Sequence, residues 1–252
     1  MEIITRTQLA GSTENCLQGK PFFFLLAIFI TLLTFSGFIA NSVNTPQRIT
    51  HINFWTGLHA IFSTAWYCLL LLQLKLSRNG HLALHRNLGR FSALLVVAII
   101  VTGPIMTFGL YERLVGFGIF DLNDSTARTR VGGLFGSTLF QWLSFALLYV
   151  FGLLTIRHPK HHKRFMIAAS IQMMPEGLNR LIHLLGLPGY AMILIVALIY
   201  LSILIYDWKT ERRFLWSSIV SITAFAVLVI LIKTVFQSQL WGDWVSKFIV
   251  AI

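Results

Sequence analysis

Seven apolar runs, separated by short polar connections, constrain this chain more than any other feature. They cover Pro21–Ala40, Asn53–Leu76, Phe91–Leu110, Val131–Ile156, Phe165–Leu185, Gly189–Tyr206 and Phe214–Phe236. A hydrocarbon core about 30 Å thick takes roughly 20 helical residues, and most of the runs reach that length. The composition agrees: 56% of residues are apolar and only 12% are charged, whereas soluble domains average about 25% charged. These values exclude a disordered chain and an ordinary water-soluble enzyme. The expected fold is an all-α integral membrane protein with seven transmembrane helices, spans two to five forming a central bundle. It is read as one polytopic domain over 1–252, with an N-terminal segment 1–20, spans over 21–236 and a tail 237–252.

In the tail, Leu240, Trp241, Trp244, Val245, Phe248 and Ile249 recur on one helical face, with Asp243 and Lys247 off it. That pattern predicts a short interfacial helix on the outer surface. The first run is longer than the ~7–15 residues of a signal-peptide core, so it is read as a retained span.

The net charge of +11 comes from 20 Lys+Arg against 9 Asp+Glu. The basic residues sit in the connections between spans and do not build a soluble face, which argues against nucleic acid as a partner. With seven spans, 13 of the 20 fall on the side that holds the N-terminus. The excess predicts a cytoplasmic N-terminus and an external C-terminus. Cys16 lies in the polar N-terminal segment and Cys68 within an apolar run, so no disulfide is expected.

The fifth span is unusually polar. Gln172, Glu176, Arg180 and His183 follow one another at spacings of four, four and three, a single helical stripe. Charges at membrane depth cost about 2.5–3.5 kcal/mol each and must face protein or water. Pro175 frees a backbone carbonyl, and Gly177 beside it loosens the helix. Helical rise places His59 and Ser137 level with Arg180, and Gln141 level with Glu176. The expectation is an outward-facing polar chamber of His59, Gln141, Glu176, Asn179, Arg180 and His183, with Ser137 and Lys233 nearby. It would handle a small molecule or a proton, Glu176 accepting it and Arg180 serving as counter-charge. The competing reading is that Glu176 and Arg180 neutralise each other and fix helix packing.

A second constellation lies at the inner headgroup level: His81-x3-His85-Arg86-x3-Arg90 enters the third span, and Arg157-His158-Pro159-Lys160-His161-His162-Lys163-Arg164 enters the fifth. Arg86, Arg90, Lys163 and Arg164 are expected to hold anionic lipid headgroups, at about 1 kcal/mol per basic residue. Histidines on facing helices also suit haem iron. His59 with His183 would make an outer axial pair, and His85 with His162 an inner one. Because His162 and His183 are ~31 Å apart along one span, the two irons would lie near opposite faces. The stretch Gly132-Gly133-x2-Gly136 is read as a close helix-packing face. Phosphate loops, zincin motifs and cysteine metal motifs are absent from the sequence. A weak parallel repeat is visible, in which Trp66 and Trp142 are each followed about twenty residues on by His85-Arg86 and His162-Lys163-Arg164.

The run His59-x6-Trp66-x6-Gln73, then Leu84-His85-Arg86-x-Leu88-Gly89-Arg90, then His161-His162-Lys163-Arg164-Phe165-Met166, with Pro175 and Arg180 beyond, resembles a family of bacterial multi-span membrane proteins without an assigned activity. The resemblance covers roughly Asn53 to His183. It implies a helical protein of the bacterial inner membrane in which His59, His85, Arg86, His162, Arg164 and Arg180 belong to the pattern; Glu176 and His183 fall outside it. A fainter likeness joins the chain to transmembrane di-haem cytochromes of the ascorbate and ferric reductase type, which carry histidines on four central spans. This chain has none in its fourth span. Three readings follow: the outward-facing chamber first, then a membrane redox protein with haem b held by His59 and His183, the inner pair lying at the interface, then a non-catalytic integral subunit. Oligomeric state and substrate are left open.

Overall fold

The computed structural model describes residues 21–45, 52–116, 120–121 and 123–250. The expected N-terminal segment, with Cys16, lies outside them. The described chain is helical throughout: α1 Phe22–Asn44, α2 Phe54–Arg78, α3 Leu82–Gly116, α4 Ser125–Leu154, α5 Pro159–Met173, α6 Pro175–Leu184, α7 Tyr190–Glu211, α8 Trp216–Leu231, a π-helical turn Ile232–Phe236, and α9 Gln239–Val250. No strand occurs among the described residues. Six segments are long and apolar enough to cross a membrane: α1, α2, α3, α4, α7, and α8 with its π-helical turn. Large apolar side chains cover the outside of the bundle, among them Leu32, Phe91, Leu94, Leu154, Leu198 and Trp208. Such a surface is suited to lipid. The chain is a multi-pass, all-α membrane protein.

Local chemistry sets the boundaries. Asn53 Oδ1 accepts the Thr56 backbone N–H at 2.8 Å and caps α2, and Asp124 Oδ1 does the same for Thr126 at the start of α4. Gly80, with φ at +77°, makes the tight turn between α2 and α3. Both helices extend into the gap between the third and fourth apolar runs: α3 runs on to Gly116 and α4 begins at Ser125.

The fifth expected span is two helices rather than one. Pro175 has no N–H to give the Ile171 carbonyl, so the Met174 N–H takes that carbonyl at 3.1 Å in a tighter turn. The polar stripe divides at the break. Gln172 is buried and its Nε2 donates to Tyr200 Oη on α7 at 3.2 Å, whereas Arg180 lies over the Phe38 ring on α1.

The most extensive helix pairings are α2 with α3, α4 with α5, α1 with α6, and α4 with α9. Two of them depend on glycine. A Cβ on Gly37 would lie 1.9 Å from the Gly177 carbonyl oxygen, and one on Gly177 would lie 2.2 Å from the Thr34 oxygen. Gly177 therefore lets α1 and α6 touch backbone to backbone; its role is close approach, not the loosening read from sequence. At the other crossing, Gly132 of α4 faces Gly242 of α9, and Trp241 Nε1 donates to the Gly132 carbonyl at 2.7 Å. The tail helix is thus docked on α4, with Val245 fully buried and Leu240, Trp244 and Phe248 on its open side.

Polar pins cross the core. Trp66 Nε1 donates to Ser170 Oγ at 3.0 Å, Tyr67 Oη donates to the Ser170 carbonyl at 2.9 Å, and Ser92 and Tyr149 share a hydroxyl contact of 2.7 Å. The strongest tie is ionic. Arg164 Nε donates to Asp207 Oδ1 at 2.8 Å, with Nη2 on the same oxygen, and Nη1 donates to the Lys160 carbonyl at 2.6 Å. Asp207 Oδ2 accepts from Ser218 Oγ at 2.6 Å and from the Leu215 N–H at 3.2 Å. The two side chains are 1% and 0% exposed. Arg164 is therefore not a headgroup contact as expected: its guanidinium is inside, joining α5 to the α7–α8 turn and lying over the Phe23 ring of α1.

Candidate functional site

The six residues of the expected outer chamber separate into two places. Arg180 Nη1 lies 3.5 Å from Glu176 Oε2 and also donates to the Glu176 carbonyl, and the pair is 38% and 45% exposed. Their helix, α6, packs chiefly on α1 and α7. Asn179 and His183 are exposed on the same short helix. His59 instead belongs to the α2–α3–α4 side. Its Nδ1 meets Thr102 Oγ1 at 3.0 Å, and its ring lies 6.4 Å from that of Trp142. No hydrogen bond or ring contact joins His59 to His183, so the outer axial pair is not assembled. Gln141 is buried on α4. Ser137 lines a different groove, beside the π-helical turn, and Lys233 is exposed within that turn.

The inner histidines do come together. His85 stands in the first turns of α3 and His162 in the first turns of α5, and their ring centres are 6.4 Å apart with the planes at 84°. His85 Nδ1 lies 3.2 Å from the Gln73 carbonyl at the end of α2, and His162 Nδ1 lies 2.7 Å from the Gly152 carbonyl at the end of α4. A carbonyl can only accept, so each Nδ1 carries a proton and donates it. In the neutral form of such a ring the lone pair lies on Nε2. The weak sequence repeat acquires a structural meaning here: in each of the α2–α3 and α4–α5 hairpins, the histidine opening the second helix is held by a carbonyl near the end of the first.

This is the arrangement that fixes metal-binding imidazoles in proteins, the far ring nitrogen being anchored so that the near one is aimed. With a metal–nitrogen bond of ~2 Å and about 1.1 Å more to the ring centre, two trans imidazoles have centres ~6.3 Å apart. A tetrahedral ion would draw them to about 5 Å. Among the described residues no group of three or more His, Cys, Asp or Glu side chains could hold a metal ion, so a tetrahedral cage lacks a ligand set.

Two further observations fit a bound group. The Gln73 side-chain amide has both its oxygen and its nitrogen buried and without a hydrogen-bond partner. Such orphaned groups are uncommon in native proteins and call for an explanation. That amide lies beside Gly89, one helical turn beyond His85, where a Cβ would meet only Gln73 Nε2, at 3.6 Å. The motif residues Gln73, His85, Gly89 and His162 thus converge on one end of the four-helix core. Arg86 and Arg90 are exposed around it, as a headgroup role requires, and Lys163 lies 4.9 Å from the Phe23 ring.

What the fold and these residues define is a class: a multi-pass helical membrane protein with a polar cluster built on paired histidines. Comparison with protein-family models, with curated proteins and with solved structures finds no match.

Proposed function

We propose that the chain is a membrane redox protein that holds one b-type haem between His85 and His162. The observation that carries this reading is the 6.4 Å separation of two rings whose Nδ1 atoms are both committed to backbone carbonyls. Haem supplies one-electron chemistry to such a site. His85 and His162 would hold the group from both sides and leave no open position for oxygen, which would suit the site to electron transfer. The buried Gln73 amide would be free to hydrogen-bond the group, with Gly89 beside it. The wider setting proposed is a bacterial inner membrane, with α5 and α6 together completing a seventh span and the histidine pair toward the cytoplasmic side, where the basic connections lie.

The test is the absorbance spectrum of the full chain purified in mild detergent from haem-replete cells. A b-type spectrum is expected, lost in both His85→Ala and His162→Ala and kept in His59→Ala and His183→Ala. A colourless protein, or retention of the spectrum in both inner variants, refutes the reading.

A second reading is supported by one feature. Glu176 and Arg180 stand half-exposed at a helix break, the kind of place where transporters bind ions or small molecules. If Glu176 carries a proton, Glu176→Gln abolishes proton-coupled uptake in vesicles; unchanged uptake refutes it.

A further inference from the structure

A groove of about 610 Å³ opens between the first turns of α4 and the turn that leads from the π-helical segment into α9. It lies at the end of the bundle away from the paired histidines, since α4 begins here and reaches His162 only at Gly152. Thr126, Arg130 and Gln237 line it together with the apolar Leu134 and Ile232.

The polarity follows from the length of α4. Its 30 residues span about 45 Å, ~15 Å more than a hydrocarbon core. The apolar run begins only at Val131, so residues 125–130, the polar first turns, are the end left beyond it. The two arginines of these turns differ. Arg128 Nε is paired with Asp243 Oδ1 of α9 at 2.6 Å. Arg130 is exposed and has no ion-pair partner among the described residues. The opposite wall is shaped by the π-helical turn, in which the Gln237 N–H bonds the Ile232 carbonyl at 3.1 Å. The wider turn sets the Phe236 carbonyl against Gly133, 3.2 Å from where a Cβ would lie. Single π-helical turns of this kind recur at functional sites.

We propose that this groove binds one anionic phospholipid, its phosphate at Arg130 with Thr126 and Gln237 as hydrogen-bond donors, and an acyl chain against Leu134 and Ile232. A groove lined by a cation, hydrogen-bonding side chains and the apolar Leu134 and Ile232 suits an amphiphile. A free anion would leave the apolar side chains unused. The inference is independent of the haem reading.

The test uses the full chain in phosphatidylcholine vesicles containing a small fraction of phosphatidylglycerol with a photoreactive acyl chain, and the labelled peptides are mapped. Label is expected on the segments containing Leu134 and Ile232. It falls about fivefold in Arg130→Gln and stays unchanged in Lys247→Gln, an exposed cation of α9. Leu134→Trp, which fills the groove and keeps Arg130, removes label from the Ile232 segment. Equal labelling by a phosphatidylcholine probe, or label undiminished in Arg130→Gln, overturns the proposal. Loss of label in millimolar inorganic phosphate assigns the groove to a free anion and overturns the lipid assignment.

Discussion

Removing the carboxylate of Asp207 probes the energetics of the core most directly. In Asp207→Ala the Arg164 guanidinium, 1% exposed, keeps only the Lys160 carbonyl as a partner. The Leu215 N–H and the Ser218 hydroxyl lose their acceptor as well. Stranding one member of a buried ion pair costs about 3–5 kcal/mol. For a chain of this size each kcal/mol lowers the melting temperature by ~2–4 °C, so the expected fall is roughly 6–20 °C. The assay is tryptophan-fluorescence thermal unfolding of the detergent-purified protein. Two companions make the result specific. Glu211→Ala breaks the Lys160–Glu211 contact of 2.8 Å, whose lysine is 55% exposed, and should cost less than about 1 kcal/mol. Adding Arg164→Met to Asp207→Ala removes the stranded charge and should recover part of the loss. If Asp207→Ala melts with the parent protein, or no lower than Glu211→Ala, the assignment of this pair as the main ionic tie of the bundle is wrong.

The glycine crossings give two further expectations. Gly177→Ala forces α1 and α6 apart, because its Cβ would sit 2.2 Å from the Thr34 oxygen; it should destabilise by about 1–3 kcal/mol, whereas Gly57→Ala, whose Cβ would meet only Ile52 Cγ2 at 3.8 Å, should leave the melting temperature unchanged. Gly132→Val should release α9 from α4, since even a Cβ there would lie 2.7 Å from Gly242 Cα. Faster proteolysis of the tail, with the melting temperature of the bundle held within a few degrees, is the expected readout; a tail as protected as in the parent would show that the crossing does not hold it.

Apolar length alone located most of the helices, because a span must be both long and apolar whatever it packs against. The glycine face at Gly132, Gly133 and Gly136 was legible for a similar reason: three small residues on one face leave nothing but backbone for a neighbour to meet. The partner of that face, Gly242, was not legible, since a lone glycine in a short tail has many explanations. Arg164 and Asp207 were missed together. Arg164 sits in a basic run that reads as headgroup contacts, and Asp207 falls just past the apolar run ending at Tyr206. Their pairing depends on how α5 meets the α7–α8 turn, 43 residues apart in sequence. The outer chamber failed for another reason. Helical rise gives a depth along a span, but residues at one depth can face different neighbours, and His59 faces α3 and α4 where Arg180 faces α1.

The placement of the buried charge next to the histidines ties the two findings. Arg164 and His162 are two residues apart on α5, so the ionic tie that anchors Arg164 to Asp207 also fixes the turn that presents His162. A ligand held to a fraction of an ångström needs such a rigid support. The other histidine of the pair is held differently. The His85 ring is hydrogen-bonded by the 3.2 Å contact to the Gln73 carbonyl, longer than the 2.7 Å contact that His162 makes to Gly152. The two sides of the site are therefore unequally constrained. A group binding between them would draw in the His85 side, on α3, more readily than the His162 side, which is held by both its own carbonyl and the neighbouring ion pair.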